Sequence, residues 1–273
     1  TVQKAYGKLR ITVKLIDVSD ESLLWSEQYS RELDDIFIIQ DDITSAIVKE
    51  LKLSLIGEER ENLAKRYTDN QEAYTQYLRG IYFLNDRTEE GMVKSIDYFN
   101  KAIELDPAYA LAYVGLADSY ILLAEWEFSS PQEVYPKAKN AAFKALEIDD
   151  KLSEAHCALA MIKRDYEWDW VGAEREFKRA IELNPNYPTA HQWYAEYLTC
   201  MARHDEAIEE ISRAKELDPL SINLASVTGG VIFYYAREFD RGIEQCKKAL
   251  DLDPTHYPSH FSIAWNYRQK EIY

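Results

Sequence analysis

Residues 177–185 read FKRAIELNP, and this short stretch decides the fold. Its apolar residues Phe177, Ala180 and Ile181 are spaced three and four apart, as on one face of an α-helix. Pro185 lacks an amide hydrogen and clashes with the preceding turn, so we expect it to end the helix. The stretch therefore predicts an amphipathic helix that closes at a proline.

The same phrase returns along the chain at a nearly constant spacing. Its copies close at positions 107, 150, 185, 219 and 254, so successive copies are 43, 35, 34 and 35 residues apart. A period near 34 residues is typical of tandem helical hairpins, which build surfaces for other proteins. The other copies are FNKAIELDP at 99–107, the degenerate AFKALEIDD at 142–150, ISRAKELDP at 211–219 and CKKALDLDP at 246–254.

Small residues recur at the positions where two helices of a hairpin would cross. One set lies on a second amphipathic stretch before each copy, and the other set begins the helix that carries the copy. Large residues at such crossings would overpack them, at about 1–3 kcal/mol each. The two sets are Gly80, Ala117, Ala160, Ala195 and Gly230, and Ser95, Ala138, Ala173, Ala207 and Gly242.

The order of small residues, aromatic residue, alanine and proline resembles the tetratricopeptide repeat (TPR). The third unit matches at Ala160, Ala173, Phe177, Ala180 and Pro185. The resemblance implies a mainly α fold, an α-solenoid in which helical hairpins form a right-handed superhelix. Histidine replaces the first Trp of the motif at His156, His191 and His260.

The repeat positions predict two regions, a segment over 1–68 and a TPR array over 69–273. The expected array has five hairpins and one further helix. The predicted units are 73–107, 110–150, 153–185, 188–219, 223–254 and a final half unit, 257–273.

The first 68 residues have a different pattern. The apolar residues Leu9, Ile11, Val13 and Leu15 alternate with polar ones, which predicts a half-buried strand. A second strand is expected over 23–29, with a turn between the two, so the segment predicts a two-stranded β-hairpin. A helix is predicted from about Asp34. The unpaired edge of such a hairpin is a template for another chain, so a homodimer through it is expected.

The run LIDVSDESLLWSEQYSRELDDIF, at 15–37, resembles the closing half of a TolB-like (FlgO-like) N-terminal domain. The resemblance implies a bacterial or archaeal signalling protein in which the TPR array is joined to an effector. A first residue other than Met and an end inside a repeat indicate a piece of a longer chain. The effector modules of such proteins are not seen in this sequence.

Composition narrows the function classes. The formal net charge of −16 argues against nucleic acid, because binding phosphates requires clustered Lys and Arg. No run of 18 apolar residues indicates a membrane span. The three cysteines are isolated, lack zinc-site spacing and favour a reducing compartment, so a cytoplasmic location is expected. No cofactor is expected.

The predicted partner site is the concave groove, which the first helix of each TPR hairpin lines. An apolar and aromatic lining is expected, suited to a helix or extended peptide. The Lys/Asn clamp of chaperone-binding TPRs, which captures acidic C-terminal peptides, is absent. The alternative is a groove filled by the chain's own N-terminal helix or by another copy. The groove residues implied by the resemblance are Tyr74, Tyr77, Val114, Asp118, Met161, Arg164, Gln192, Glu196, Val227, Val231, Tyr234, Phe261 and Trp265.

Aromatic residues cluster where two hairpins bend. The second unit carries an insertion, EWEFSSPQEVYP, at 125–136, and the third carries YEWDW at 166–170. They predict either a docking strip or a loop that folds back over the neighbouring hairpin, and the second interpretation is favoured.

Catalysis is not expected. The sequence has no nucleotide-binding, hydrolase or metalloprotease motif of the usual spacing. His156, His191 and His260 lie whole repeats apart, so they are expected to fill a repeated structural position rather than to bind a metal. Paired acids such as Asp165 and Glu167 are common in so acidic a chain.

These patterns predict a non-catalytic scaffold that binds a peptide or protein in its groove, within a larger bacterial signalling protein. Two alternatives stay open. The chain could be a homo-oligomerisation module, or the regulatory segment of an enzyme such as an adenylate cyclase or a kinase.

Overall fold

A computed structural model describes residues 2–5, 8–16, 23–32, 43, 46 and 67–272 of the 273-residue chain. Contacts divide the chain into two compact units, Thr1–Thr75 and Gln76–Tyr273. Each unit is described by itself.

The first unit contains a three-stranded antiparallel sheet in the order β1-β2-β3. Its register places Ile11 opposite Tyr29 and Leu15 opposite Trp25, with an irregularity at Leu15 and Ile16. The prediction of two strands was therefore incomplete. The extra strand is too short to show an alternating pattern, and it is held by pairing with β2. The strands are β1 (Val2–Ala5), β2 (Lys8–Ile16) and β3 (Leu23–Glu32).

The helix predicted from Asp34 lies outside the described residues, apart from Ile43 and Ala46, which are helical.

From residue 71 onward the described chain is a succession of helices. Successive helices pack against each other, among them α3 on α4, α5 on α6, α7 on α8 and α11 on α12. The helices are α1 (Gln71–Asn85), α2 (Glu89–Leu105), α3 (Ala110–Glu125), α4 (Pro131–Ile148), α5 (Ser153–Ile162), α6 (Trp170–Leu183), α7 (Pro188–Cys200), α8 (His204–Leu217), α9 (Ile222–Val227), α10 (Phe233–Tyr235), α11 (Phe239–Leu252) and α12 (Tyr257–Ile272).

The core forms where the repeated phrase of one hairpin meets the next hairpin. Phe177, Ala173 and Ala180 are fully buried. The Phe177 ring lies 5.7 Å from the ring of Tyr194 and 5.8 Å from that of Tyr197. In the first hairpins Phe99 takes the equivalent place, and a Cβ added to Gly80 or Gly115 would overlap its ring. Small residues therefore make room for the aromatic ring, as the sequence pattern indicates.

Each of five hairpin turns contains one non-glycine residue in the left-handed region. Backbone hydrogen bonds close three of these turns across six residues: Phe128 N to Leu123 O at 3.0 Å, Arg203 N to Leu198 O at 2.9 Å and Glu238 N to Phe233 O at 2.9 Å. Such a turn satisfies the last carbonyls of the helix, and glycine is its usual left-handed residue. The five residues are Arg87, Glu127, Trp168, Ala202 and Arg237, with φ between 53° and 61°.

Two helices contain a π-helical turn that the sequence pattern did not predict. One, Lys163–Glu167, follows α5, and the other, Thr228–Ile232, joins α9 to α10. A π turn widens the helix and is often found at functional sites.

The insertion expected in the second hairpin is shorter than predicted. Pro131 begins α4, so residues 131–136 form its first turns rather than a loop. A proline is favoured at a helix start because its amide would be unsatisfied there anyway. Val134 and Tyr135 are buried, and they anchor this start in the core.

Within the described residues, no helix combines the length and the hydropathy that crossing a bilayer requires.

Candidate functional site

A cavity of about 860 Å³ opens along the later hairpins of the second unit. Its walls come from the start of α7, from α9 with its π turn, from the start of α12 and from the loop between α1 and α2. Arg87, Gln192, Leu220 and Tyr257 are among the residues that line it. We call this cavity the groove.

An ionic cluster lies beside the groove, around Arg164 of the first π turn. Arg164 is only 7% exposed. Its Nη2 donates to Glu125 Oε1 at 3.2 Å and to Asp165 Oδ2 at 2.9 Å, and its Nη1 lies 3.9 Å from Glu196 Oε2. Arg164 and Asp165 are adjacent in the chain, and they pair within the π turn.

Hydrogen bonds extend this cluster along the array. Gln192 Nε2 donates to Glu196 Oε1 at 2.9 Å, and Asn223 Nδ2 donates to Gln192 Oε1 at 3.3 Å. On the opposite side, the Tyr135 hydroxyl donates to Asp165 Oδ2 at 3.3 Å. The polar line therefore runs from α9 through α7 and the π turn to α4.

Arg87 brings a second guanidinium group to this region from the α1–α2 turn. Burial lowers the pKa of Arg87, while the charges of Glu125, Asp118 and Glu196 act in the opposite sense. Its backbone is left-handed, with φ 53°. The unusual backbone and the acidic surroundings together place a cation at the groove wall.

Several carboxyl groups of the cluster hold protons unusually tightly. Burial raises the pKa of Asp118 to about 7, although Arg87 opposes the shift. Burial, with repulsion from Glu196, raises the pKa of Glu125 to about 8. The pKa of Glu196 is also raised by burial, against the attraction of Arg164. Asp118 and Glu125 are therefore only partly ionised near neutral pH.

The structure brings together three polar members of the predicted groove set, Arg164, Gln192 and Glu196, and it places Asp118 within the influence of the Arg87 charge. Gln192, Val227 and Val231 line the groove itself. In the middle of the array the predicted positions Arg164 and Glu196 carry charges that pair with each other, and the expected apolar and aromatic lining of the groove stays a prediction.

The other predicted groove residues have different environments. Val114 and Met161 are buried in the core. Tyr77 packs against Tyr109, with ring centroids 5.1 Å apart, and Tyr74 is half-buried in the part of α1 that belongs to the first unit. Three aromatic residues form a partly exposed group at the other end, where the Trp265 ring lies 5.7 Å from Phe261 and 6.2 Å from Tyr234.

Sequence reasoning missed Arg87, Glu125 and Asn223. Arg87 lies in a turn, outside the helix positions that the family pattern supplies. Glu125 and Asn223 lie at the end of α3 and the start of α9, one turn beyond the apolar repeat. The sequence did contain one signal for these two residues, which is a charged or amide side chain next to an otherwise apolar end of a helix.

The aromatic residues of the two bends divide between core and surface. Tyr135 stacks on Tyr166 at 5.3 Å, and the Tyr197 hydroxyl donates to Trp170 O at 3.0 Å. Trp126 and Phe128 stack on each other, 6.3 Å apart, and both stay exposed. Trp168 is 70% exposed. Neither single interpretation of the bends therefore holds throughout.

The three histidines occupy equivalent positions and bind the preceding turn. The Nε2 atoms of His191 and His260 lie 3.0 and 2.9 Å from the carbonyls of Pro185 and Pro254. His191 Nδ1 also contacts Glu210 Oε2 at 2.6 Å. A carbonyl and a carboxylate both accept, so a ring that hydrogen-bonds to both of them donates from both nitrogens in its protonated form, and the two bonds favour that form.

His156 repeats the arrangement of His191 one hairpin earlier. Its Nδ1 lies 2.8 Å from Glu176 Oε2, and its Nε2 lies 3.2 Å from Asp150 O. In the described part of the chain, no three His, Cys, Asp or Glu residues are grouped so that they could hold a metal ion.

Comparison with known proteins identifies the fold. A family model described as "Tetratricopeptide repeat" matches residues 176–209. A solved structure, that of a thermophilic TPR protein in Thermus thermophilus, superposes with a TM-score of 0.58 over 71% of this chain and 98% of that chain, at 15% identity. The helical array has the tetratricopeptide-repeat fold. The chain is accordingly mainly α, and its second unit is a TPR solenoid.

Two curated relatives align with part of the chain. A putative adenylate cyclase 3 of Rhizobium meliloti (strain 1021) is 28% identical over 163 residues, which cover 59% of this chain and 28% of the relative. The transcriptional regulator HilA of Salmonella typhimurium is 27% identical over 167 residues, covering 61% and 30%. The chain therefore spans less than a third of the length of either relative. The TolB-like resemblance of 15–37 gains no support from these comparisons.

Proposed function

We propose that this TPR protein is a non-catalytic scaffold that binds a peptide or a protein segment in the groove. The observation that carries the proposal is the 860 Å³ groove, which is open and is lined by residues from several hairpins. Its volume lies within the range of about 300–1,000 Å³ that is typical of ligand sites. TPR arrays are stacked so that adjacent hairpins share such a concave surface.

The groove offers both kinds of contact that a peptide requires. Half-buried polar side chains such as Ser221 and Asn223 line it, and they can exchange hydrogen bonds with a peptide backbone. Leu220 and Tyr257 are 75% and 73% exposed, and they supply apolar surface. Buried apolar and aromatic anchors carry most of the free energy of peptide binding.

Selection of peptides from a random displayed library on the 273-residue protein tests the proposal. Leu220→Arg and Tyr257→Arg place a bulky charge in the groove at exposed positions, so the fold should survive. Val171→Arg is the matched control, because Val171 is 82% exposed and does not line the groove. We expect selected peptides to bind the parent and Val171→Arg equally and both groove variants roughly tenfold more weakly.

Circular dichroism should show the same helicity in all four proteins. The proposal would be contradicted if the selected peptides bound both groove variants as tightly as the parent, or if the selection enriched no peptide.

A second candidate function is regulation of an effector within a longer protein. The observation in favour is that the chain aligns with only part of a putative adenylate cyclase and of a transcriptional regulator. In this proposal the occupied groove changes the activity of an attached domain. In a longer protein that contains this chain and the attached domain, Leu220→Arg should then alter the activity of that domain, whereas Val171→Arg should not.

Self-association through the N-terminal sheet is the remaining alternative. In the described residues, β1 and β3 are the outer strands of the sheet, and the outer edge of a sheet can pair with a strand of another chain. Light scattering over a range of protein concentrations measures the mass. A monomeric mass throughout would exclude this alternative.

A further inference from the structure

We infer that α12 binds an amphipathic helix of a partner protein through the face that carries His260 and Ala264, and that a glutamate of that helix bonds to His260. The inference goes beyond the proposed function, because neither residue lines the groove. It rests on a comparison of α12 with α5 and α7, which hold the same place in two earlier hairpins.

One alanine position is buried in the earlier hairpins and exposed on α12. Ala160 of α5 and Ala195 of α7 are 0% exposed, and these helices pack on α6 and α8. In the first hairpin, the equivalent Gly80 lies against the ring of Phe99, which belongs to the second helix of that hairpin. Ala264 holds the same position on α12 and is exposed. In the described part of the chain, no second helix covers it.

The histidine four residues before this alanine has a carboxylate partner in the earlier hairpins. His156 Nδ1 lies 2.8 Å from Glu176 Oε2 of α6. His191 Nδ1 lies 2.6 Å from Glu210 Oε2 of α8. Among the described residues, the His260 ring bonds only to a backbone carbonyl, through Nε2 at 2.9 Å. Because His260 is also exposed, its Nδ1 atom is open to a carboxylate from another helix.

A different side of α12 is already seated on the array. Asn266 is 0% exposed, and its Nδ2 donates to Gly229 O of the second π turn at 3.3 Å. The exposed residues His260, Ala264 and Tyr267 follow one another at intervals of four and three, so they form one stripe of the helix. Tyr267 is 47% exposed and adds apolar surface to this stripe. The stripe continues the surface that a second helix covers in the earlier hairpins.

The two helices that meet a histidine share a pattern, and this pattern defines the ligand. Each has an alanine, a glutamate three residues later and a large apolar residue directly after the glutamate. Spacings of three and four place these side chains on one face of a helix. A partner helix with the same pattern would bury its alanine on Ala264 and bring its glutamate to His260. The residues are Ala173, Glu176 and Phe177 in α6, and Ala207, Glu210 and Ile211 in α8.

The histidine and the glutamate occur together in this chain. In the first hairpin, Gln76 stands at the histidine position and Tyr98 at the glutamate position. In the second hairpin these positions hold Tyr113 and Ala141. Histidine and glutamate therefore form a matched pair, and the histidine of α12 indicates an acidic residue in its ligand. Such complementarity of charge chiefly sets specificity.

A second copy of this chain fits less well as the ligand. Its α6 and α8 carry the pattern, but they are already packed within their own hairpins, where Glu176 and Glu210 bond to histidines. Either helix would have to leave its hairpin before it could bind. A partner helix that is free before binding has no such cost.

A helical peptide with the sequence of residues 203–219 serves as the probe. It contains the α8 pattern, and a covalent staple on its polar face keeps it helical, because an isolated helix of this length is marginally stable. We expect it to bind the 273-residue protein. Ala264→Arg obstructs the helix crossing and should weaken binding roughly tenfold or more. Val171→Arg is the matched control, since Val171 is 82% exposed and lies on α6, and it should bind as the parent does.

Paired substitutions test the contact between glutamate and histidine. Glu210→Gln in the peptide and His260→Gln in the protein should each weaken binding roughly fivefold, because each removes the same hydrogen bond. Combining the two should weaken binding no further than either one alone. Losses that multiply would show that the two residues do not meet, and would overturn the inference.

The inference would also be overturned if the peptide did not bind the parent, or if it bound Ala264→Arg as tightly as the parent. Ala207→Arg in the peptide should abolish binding without altering the protein, so a loss of fold cannot explain that result. Light scattering on the protein alone tests the other occupant. A dimer that Ala264→Arg dissociates would show that a second copy, and not a partner helix, covers this face.

Discussion

Phe177 is the side chain on which packing of the third hairpin depends. It is fully buried between Tyr194 and Tyr197, so truncation would leave a cavity that neighbouring rings fill only in part. Phe177→Ala should therefore lower the free energy of unfolding by about 3–5 kcal/mol. Urea denaturation measures the change. Phe143→Ala is the control, because Phe143 is 46% exposed and should cost much less.

Equal stability of the Phe177→Ala and Phe143→Ala proteins would show that the core does not lie around Phe177.

Ala202 adopts a left-handed backbone, with φ 57°, at the end of α7. A Cβ in this conformation costs about 1–2 kcal/mol, although glycine loses more backbone entropy on folding. Ala202→Gly should therefore stabilise the protein, by roughly 0.5–1 kcal/mol. The same substitution in an ordinary exposed helical position, Ala264→Gly, should destabilise it by about 1 kcal/mol.

Chemical denaturation of both variants measures the change in the free energy of unfolding, which should have opposite signs in the two. A loss of stability in Ala202→Gly would mean that this turn does not need the left-handed conformation.

At the scale of elements, His191 joins α7 to the preceding turn and to α8. Burial alone would lower the pKa of His191, but its hydrogen bonds to Glu210 and the Pro185 carbonyl outweigh burial, so its pKa is raised above 6.5. Arg213 acts weakly against the positive charge. A raised pKa means that the folded state binds the proton more tightly, so this stabilisation is complete below the unfolded-state pKa of about 6.5 and is lost as the pH rises through the folded-state pKa.

We therefore expect the stability difference between the parent and His191→Gln to shrink as the pH rises above about 6.5. Urea titrations at a series of pH values measure it. Glu210→Gln replaces the carboxylate that bonds to His191 by an amide of the same size. It should remove the same pH dependence. A constant difference across this range would show that His191 is not charged in the folded protein.

The helices follow from the sequence more directly than the groove does. Buried Ala and Phe positions such as Ala173 and Phe177 recur at one spacing. From that spacing one can predict the amphipathic helix, its close crossing with the neighbouring helix and the proline at which it ends. Strand β1 was not predicted because its four residues are too few to show an alternation of apolar and polar side chains. Arg87 escaped because it lies in a turn, outside the helix positions that the family pattern supplies, and the π turn around Arg164 escaped because five residues are too few to show a separate periodicity.

At the scale of the whole array, Arg164 links residues from three hairpins. It pairs with Glu125 of α3 and Glu196 of α7 while it belongs to the turn after α5. Arg164→Met should destabilise the protein by about 3–5 kcal/mol, because it removes the guanidinium group that pairs with three partly buried carboxyl groups. Arg203→Met is the control, since its side chain is 32% exposed and its ion pairs should contribute only about 0–1 kcal/mol.

Thermal and urea unfolding of the two variants supply the comparison. Similar losses in both would indicate that water reaches the Arg164 cluster freely.

The π turn at Lys163–Glu167 also affects how this chain is aligned with others. A π turn arises where a helix accommodates one residue more than regular winding allows. The first helix of the third hairpin therefore holds one residue more than the same helix in a hairpin without a π turn. Any alignment of this hairpin with its neighbours, or with another array that lacks the feature, should open a one-residue gap there, and alignments forced through without it would misassign Arg164 to the wrong column.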